Sequence, residues 1–250
     1  MLRKFLQICI WPAWAFFCQQ LSRPSLRYSG YFSAWRDVFA YSEREKMVRQ
    51  AMRFAFFSKL EGDYLEFGVA RGGNFVSAFF FAKICNLTAM QFYAFDSFAG
   101  LPKITGIDAQ GFRQFEEKAF ACALDEFRAI IKSKGVDLRR VQLVSGWYDT
   151  SLNSETKQKL ALKKAAVIWV DCDLYESTVP VLNFITDYLQ DGTILIFDDW
   201  FCFRGRPDRG ERKAFQEWLA CNPDISYSQF ATFGWHGNSF IIHKKENLVV

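Results

Sequence analysis

Two short runs constrain this chain more than any other feature. They are Ala165-Ala-Val-Ile-Trp-Val-Asp171 and Thr193-Ile-Leu-Ile-Phe-Asp198-Asp199. Each is apolar at consecutive positions and ends in acids. A strand that does not alternate apolar with polar needs cover on both faces, as strands inside a parallel sheet have. Asp63-Tyr-Leu-Glu-Phe-Gly-Val69 and Gln91-Phe-Tyr-Ala-Phe-Asp96 read the same way, and Val141-Gln-Leu-Val144 as a shorter strand. Helical spacing fills the intervals. Met47, Val48, Ala51, Met52, Ala55 and Phe56 lie on one face of a segment from Ser42 to Lys59, and Ser42 with Glu45 forms a capping box at its start. Further helices are expected from Gly72-Gly73 to about Cys85 (with Phe79-Phe-Phe81 as a helical face), over 111–134, after Asp173 to about Leu189, and from about Gly210 to Cys221. Two strands near 225–233 and 238–244, joined through Gly234 to Gly237, close the chain. Alternating strands and helices followed by a hairpin predict a doubly wound α/β fold.

With 250 residues, half of them hydrophobic, the chain suits one large domain with a sizeable core. The net charge of +4 is too small to suggest nucleic-acid binding. The basic excess sits at the start: Arg3, Lys4, Arg23, Arg27 and Arg36 precede the first acid, and the rest is close to neutral. Residues 8–18, ICIWPAWAFFC, are apolar but shorter than the ~20 residues that span a bilayer. An interfacial element touching the inner membrane surface suits apolar aromatics beside basic residues. A helix packed on the body or on a second subunit, and a cleaved signal, are the other readings. The expected organisation is a basic and apolar extension at 1–40 and a catalytic domain at 41–250, in the cytoplasm. Seven cysteines without a CxxC pair read as reduced thiols, and His236 and His243 have no partner at zinc-ligand spacing. The 28 phenylalanines are expected to fill the core and a subunit contact, as in a homo-oligomer.

In an open parallel sheet, ligands bind beyond the carboxyl ends of the strands. Here those ends repeatedly carry acids or glycines: Glu66-Phe-Gly68, Asp96-Ser97, Ser145-Gly146, Asp171-Cys-Asp173 and Asp198-Asp199. The first turn, Gly68-Val-Ala-Arg-Gly-Gly73, has the spacing GxxxGG rather than the dinucleotide GxGxxG, which leaves room for an adenosyl group. Asp96, at the next strand end, is placed to accept from ribose hydroxyls, or else to cap the turn that follows. Asp171, Asp198 and Asp199 end two strands expected to be neighbours. Carboxylates converging there repel unless a cation joins them, and oxygen-only ligands favour Mg2+ or Ca2+. In an extended segment Asp173 shares a side with Asp171, close enough to act as general base.

Together these motifs resemble the macrocin O-methyltransferase family of TylF/MycF type. The carrying segments are Gly62-Asp63 with Glu66-Phe-Gly-Val-Ala-Arg-Gly-Gly73, Phe95-Asp-Ser-Phe-Ala-Gly-Leu-Pro102, Gly146-Trp-Tyr-Asp-Thr-Ser-Leu152, Asp171-Cys-Asp-Leu-Tyr-Glu-Ser-Thr178, and Gly192 to Asp198-Asp-Trp200. They keep the family's order and spacing over roughly residues 60 to 205. The resemblance implies a Rossmann-like class I methyltransferase fold, with a seven-stranded, mostly parallel sheet, helices on both faces and a reversed final hairpin. It implies S-adenosylmethionine at the first strand ends, near Glu66, Gly68, Ala70, Arg71, Gly72, Asp96, Ser97, Gly146, Trp147 and Asp171, and Mg2+ on the acids. Its acceptors are typically hydroxyls of sugars, whether small molecules or glycans. Asp191-Gly192 stands where the family often has Gly-Gly, and Phe203 to Glu211 differs from the antibiotic enzymes, so their substrate does not transfer.

Other readings remain. Asp171-Cys-Asp173 is formally the DxD of a metal-dependent glycosyltransferase, which would leave the glycine-rich turn and Asp198-Asp199 unexplained. A catalytically silent, membrane-associated binding protein of the same fold has no need of converging carboxylates. A nicotinamide dehydrogenase lacks its GxGxxG. Arg204, Arg206 and Arg209 suit either an anionic acceptor or a solvated loop; Trp147 suits adenine stacking or the core; His236 suits the acceptor pocket.

Overall fold

The computed structural model describes residues 41–109 and 115–244. The N-terminal segment read as a membrane-touching extension, and the first residues of the helix expected over 111–134, lie outside them. Two compact units are distinguished, Met1–Lys46 and Met47–Val250. In the described part of the first, Ser42 and Glu45 form the expected capping box: Glu45 N–H donates to Ser42 Oγ (3.2 Å) and Ser42 N–H to Glu45 Oε2 (2.7 Å). They open helix α1, Glu43–Phe57.

The second unit is built on a seven-stranded sheet of β1 (Asp63–Phe67), β2 (Phe92–Asp96), β3 (Val141–Ser145), β4 (Ala165–Val170), β5 (Ile194–Phe197), β6 (Ile225–Phe233) and β7 (Gly237–Lys244). Their spatial order is β3-β2-β1-β4-β5-β7-β6. The first five are parallel, β7 runs antiparallel to β5, and β6 antiparallel to β7. The helices are α2 (Gly73–Ile84), α3 (Leu124–Ser133), α4 (Tyr148–Ser151), α5 (Ser154–Lys159), α6 (Tyr175–Ile185) and α7 (Gly210–Cys221).

Side chains alternate across the sheet, so each central strand feeds two cores. Leu65, Phe67, Phe95, Ile168, Val170, Leu195 and Phe197 pack with Val181, Leu182 and Phe184 of α6 and Phe215 and Trp218 of α7. On the opposite face Tyr64 and Phe92 pack against Phe75 and Phe79 of α2. β4 and β5 are buried at every position, as unbroken apolar runs require. β3 and β6 form the edges and are only partly buried.

One helix is shorter than expected. Among the described residues α3 occupies only Leu124–Ser133, and residues 117–120 form a turn. Lys118 (φ 65°) and Phe120 (φ 62°) are left-handed, which ends a right-handed helix. Paired bonds hold the turn: Leu101 N–H donates to Ala119 O, and Lys118 N–H to Leu101 O. Among the described residues, no helix is long and apolar enough to cross a membrane.

Candidate active site

The order β3-β2-β1-β4-β5 reverses direction between β1 and β4, and that is where a crevice opens in such a sheet. The turn after β1 lies there. Gly68 (φ 85°), Ala70 (φ 39°) and Gly72 (φ 76°) are all left-handed. Gly68 is pressed against the end of β4 so closely that a Cβ would sit 1.9 Å from the Asp171 carbonyl oxygen. Only glycine fits there.

Asp96, at the end of β2, ties this turn to the next. Its Oδ2 accepts from Val69 N–H (2.8 Å) and Ala70 N–H (3.3 Å), and its Oδ1 from Phe98 N–H (2.7 Å). It therefore caps its own turn and also holds the glycine-rich one. Ser97 Oγ closes the second loop by donating to Gly100 O (2.9 Å). Gly146 N–H donates to Asp96 O, which brings the turn after β3 to the same edge. Trp147 follows with 41% exposure, so it is not a core residue. Glu66 is buried below the turn, where its Oε2 accepts from Tyr64 Oη–H and from Asn74 Nδ2–H (3.2 Å). Arg71 is mostly exposed and pairs with Glu126 of α3 at 2.7 Å. Of the residues expected near the cofactor, Glu66 lies beneath the turn, Arg71 pairs with Glu126 of α3, and Gly72 packs against Phe127 and Ile131 of α3.

The acids converge beside this crevice. Asp171, Asp173 and Asp199 each offer a carboxylate oxygen, all within 4.8 Å of one another. Asp173 and Asp199 are almost fully buried. Asp173 joins the group because its backbone is left-handed (φ 62°), in the turn that leads into α6. It is not the extended residue expected from sequence. Burial, then the charges of Asp199, Asp171 and Asp198, push its carboxyl well above the usual carboxylate range. Asp198, expected in the metal set with Asp171 and Asp199, lies outside this group. Neighbouring residues leaving a strand face opposite ways. Fully buried, Asp198 meets His236: the ring Nδ1 lies 2.6 Å from the Asp198 carbonyl oxygen and 3.5 Å from its Oδ2.

Two acids central to this region escaped sequence reading. Glu211, at the start of α7, is 1% exposed and accepts from Cys172 N–H (3.3 Å) and Asp199 N–H (2.9 Å). Burial, with the charges of Asp199, Asp171 and Asp198, pushes its carboxyl well up. A signal for it existed: Glu211 shares a helical stripe with Ala214, Phe215 and Trp218, where an acid is out of place. Asp108 is buried and caps α6 from a distant loop, accepting from Tyr175 N–H (2.9 Å) and Glu176 N–H (3.1 Å). No local pattern announces that contact.

Arg206 and Arg209 both pair with Asp208, whereas Arg204 is exposed and left-handed. The five described cysteines are free, and burial raises the thiol pKa of Cys172 and Cys202 beside the acids, which makes them poor nucleophiles.

This arrangement can be set beside known proteins. A sequence model of the macrocin O-methyltransferase (TylF) family matches residues 38–218. The chain belongs to that family. One relative is the 8-demethyl-8-(2,3-dimethoxy-alpha-L-rhamnosyl)-tetracenomycin-C 4'-O-methyltransferase of Streptomyces olivaceus. It is 31% identical over 144 residues, which cover 56% of this chain and 53% of that protein. The chain spans between 53% and 63% of the length of the curated relatives it matches. Among solved structures, the O-methyltransferase NovP superposes with a TM-score of 0.67 at 23% identity, covering 80% of this chain and 79% of that one. The O-methyltransferase TomG of Streptomyces achromogenes, solved in complex with SAM, gives 0.54 at 13% identity and 79% coverage of each chain. These likenesses establish the class I methyltransferase fold, shared with a protein that holds S-adenosylmethionine.

Proposed function

We propose that the chain is an S-adenosylmethionine-dependent O-methyltransferase acting on a hydroxyl of a sugar or glycan-type acceptor, assisted by Mg2+. One observation carries this reading. The Asp171 backbone carbonyl lies under Gly68 in the glycine-rich crevice, and its carboxylate belongs to the acid group, so cofactor crevice and acid group adjoin through one residue.

The donor set fits a hard divalent cation. It offers carboxylate oxygens only, and the repulsion of carboxylates brought this close would be relieved by positive charge. Asp171, Asp198 and Asp199 would hold it, with Asp173 beside them to take a proton. Such a cation favours the ionised form of an acceptor hydroxyl. S-adenosylmethionine, when bound, would supply an already activated methyl group. The chain's task is alignment. The turn 68–72, held by Asp96, brings backbone close to the cofactor, and the exposed Trp147 indole offers a face for adenine. An Asp173 carboxylate oxygen is assigned to take the proton from the acceptor hydroxyl.

Calorimetry with S-adenosylhomocysteine, with and without Mg2+, is the direct test. Micromolar binding is expected, and folded protein that binds none under either condition would remove the reading. Asp198→Asn and Asp199→Asn are each expected to abolish methyl transfer while leaving S-adenosylhomocysteine affinity largely intact. Full turnover in both would end the metal assignment.

The same proposal places the catalytic domain at 41–250 and gives 1–36 a peripheral contact with the inner membrane surface, from the cytoplasmic side. Co-sedimentation with anionic vesicles tests that contact, and vesicle-independent behaviour of the full chain would refute it. Homo-oligomer formation is part of this reading and is checked by light scattering.

A further inference from the structure

Glu211 does more than fill a position at the start of α7. Its two oxygens accept from two backbone N–H groups that belong to different loops. Oε1 takes Cys172 N–H, and Oε2 takes Asp199 N–H. Cys172 stands between Asp171 and Asp173, and Asp199 is the third member of the acid group. One carboxyl group therefore holds both backbone segments that present the three carboxylates. The helix comes this close because its first residue is Gly210 (φ 53°), where a Cβ would meet the Phe203 ring at 2.9 Å and lie 3.9 Å from the Asp173 carbonyl oxygen.

The chemistry favours an acid here over any isostere. A buried carboxyl beside other acids is costly, and an apolar side chain would suit the stripe shared with Ala214, Phe215 and Trp218 better. Accepting two N–H groups on two separate oxygens is something glutamate does and glutamine does not, because glutamine must turn an NH2 toward one of the donors.

We propose that Glu211 is a positioning residue that sets the spacing of the two acid-bearing loops, 171–173 and 198–199, for a divalent cation. It orients the ligand-bearing loops without itself belonging to the ligand set. The inference rests on the metal reading of the site given above. Outer-shell partners of this kind cost ~10–100-fold in metal affinity when removed.

The test titrates Mn2+ into the full chain, following the free-ion paramagnetic resonance signal, with S-adenosylhomocysteine calorimetry in parallel. Glu211→Gln is expected to weaken Mn2+ by ~10–100-fold and to leave S-adenosylhomocysteine affinity unchanged, a split that general loosening of the fold would not produce. Equal Mn2+ affinity in Glu211→Gln and the parent chain would overturn the inference. A parent chain that binds no Mn2+ would overturn the metal reading itself, and the two failures are thereby distinct. If Glu211→Gln does not fold, amide hydrogen exchange on the parent chain decides. Mg2+ should slow exchange at both Cys172 and Asp199, and no change at either would refute the role.

Discussion

Single residues decide whether the crevice can form. Gly68 combines a left-handed φ with a carbonyl 1.9 Å from any Cβ, and no flexible side chain can give way there. Gly68→Ala should therefore cost about 3 kcal/mol or more, from backbone strain plus overpacking. The loss would be read by denaturant unfolding together with S-adenosylhomocysteine affinity; an alanine variant of parental stability and affinity would contradict the close contact. The glycine was legible in sequence as part of a spaced motif at a strand end. Its partner, the Asp171 backbone, was not, because that contact joins strands about a hundred positions apart in the chain. The acids show the same division. That Asp171, Asp173, Asp198 and Asp199 gather at one edge follows from two adjacent apolar strands. That Asp173 comes close to Asp171 and Asp199 follows from its left-handed turn, which no local pattern announces.

At the scale of elements, periodicity located nearly every strand and helix, since burial on one or two faces writes itself into neighbouring positions. It failed over 115–123, where the chain leaves helical geometry to pair with the loop at Leu101. Periodicity also says nothing of the tie between the α2–β2 connection and the start of β3. There the Arg140 guanidinium donates from Nε to Met90 O (3.0 Å) and from Nη2 to Leu87 O (2.9 Å) and Met90 O (2.6 Å). It lies 5.3 Å from the centres of both the Phe79 and Phe92 rings. Lysine has one donor centre and no plane to lay between rings. Arg140→Lys is thus expected to lose ~1–3 kcal/mol of stability, with S-adenosylhomocysteine affinity preserved because the residue is at the amino end of β3, away from the crevice. Loss of affinity without loss of stability would show that this end of the sheet matters to the ligand instead.

For the whole molecule, binding should show as stabilisation. A cofactor product at 100 times its dissociation constant adds ~2.7 kcal/mol, which for a chain of this size raises Tm by roughly 5–10 °C. A thermal scan with S-adenosylhomocysteine and no shift would count against the proposed crevice. The sequence by itself determined the class of fold and the edge at which chemistry occurs. Strands buried on both faces must be continuously apolar, helices must carry a stripe, and polar residues collect where strands end; each of these is a local rule. Tertiary structure alone decided that Asp173 comes within reach of Asp171 and Asp199, and that Glu211 spans the loops bearing these acids. Those outcomes depend on loop dihedrals and on hydrogen bonds between segments far apart in the chain, and no short window of sequence contains both partners.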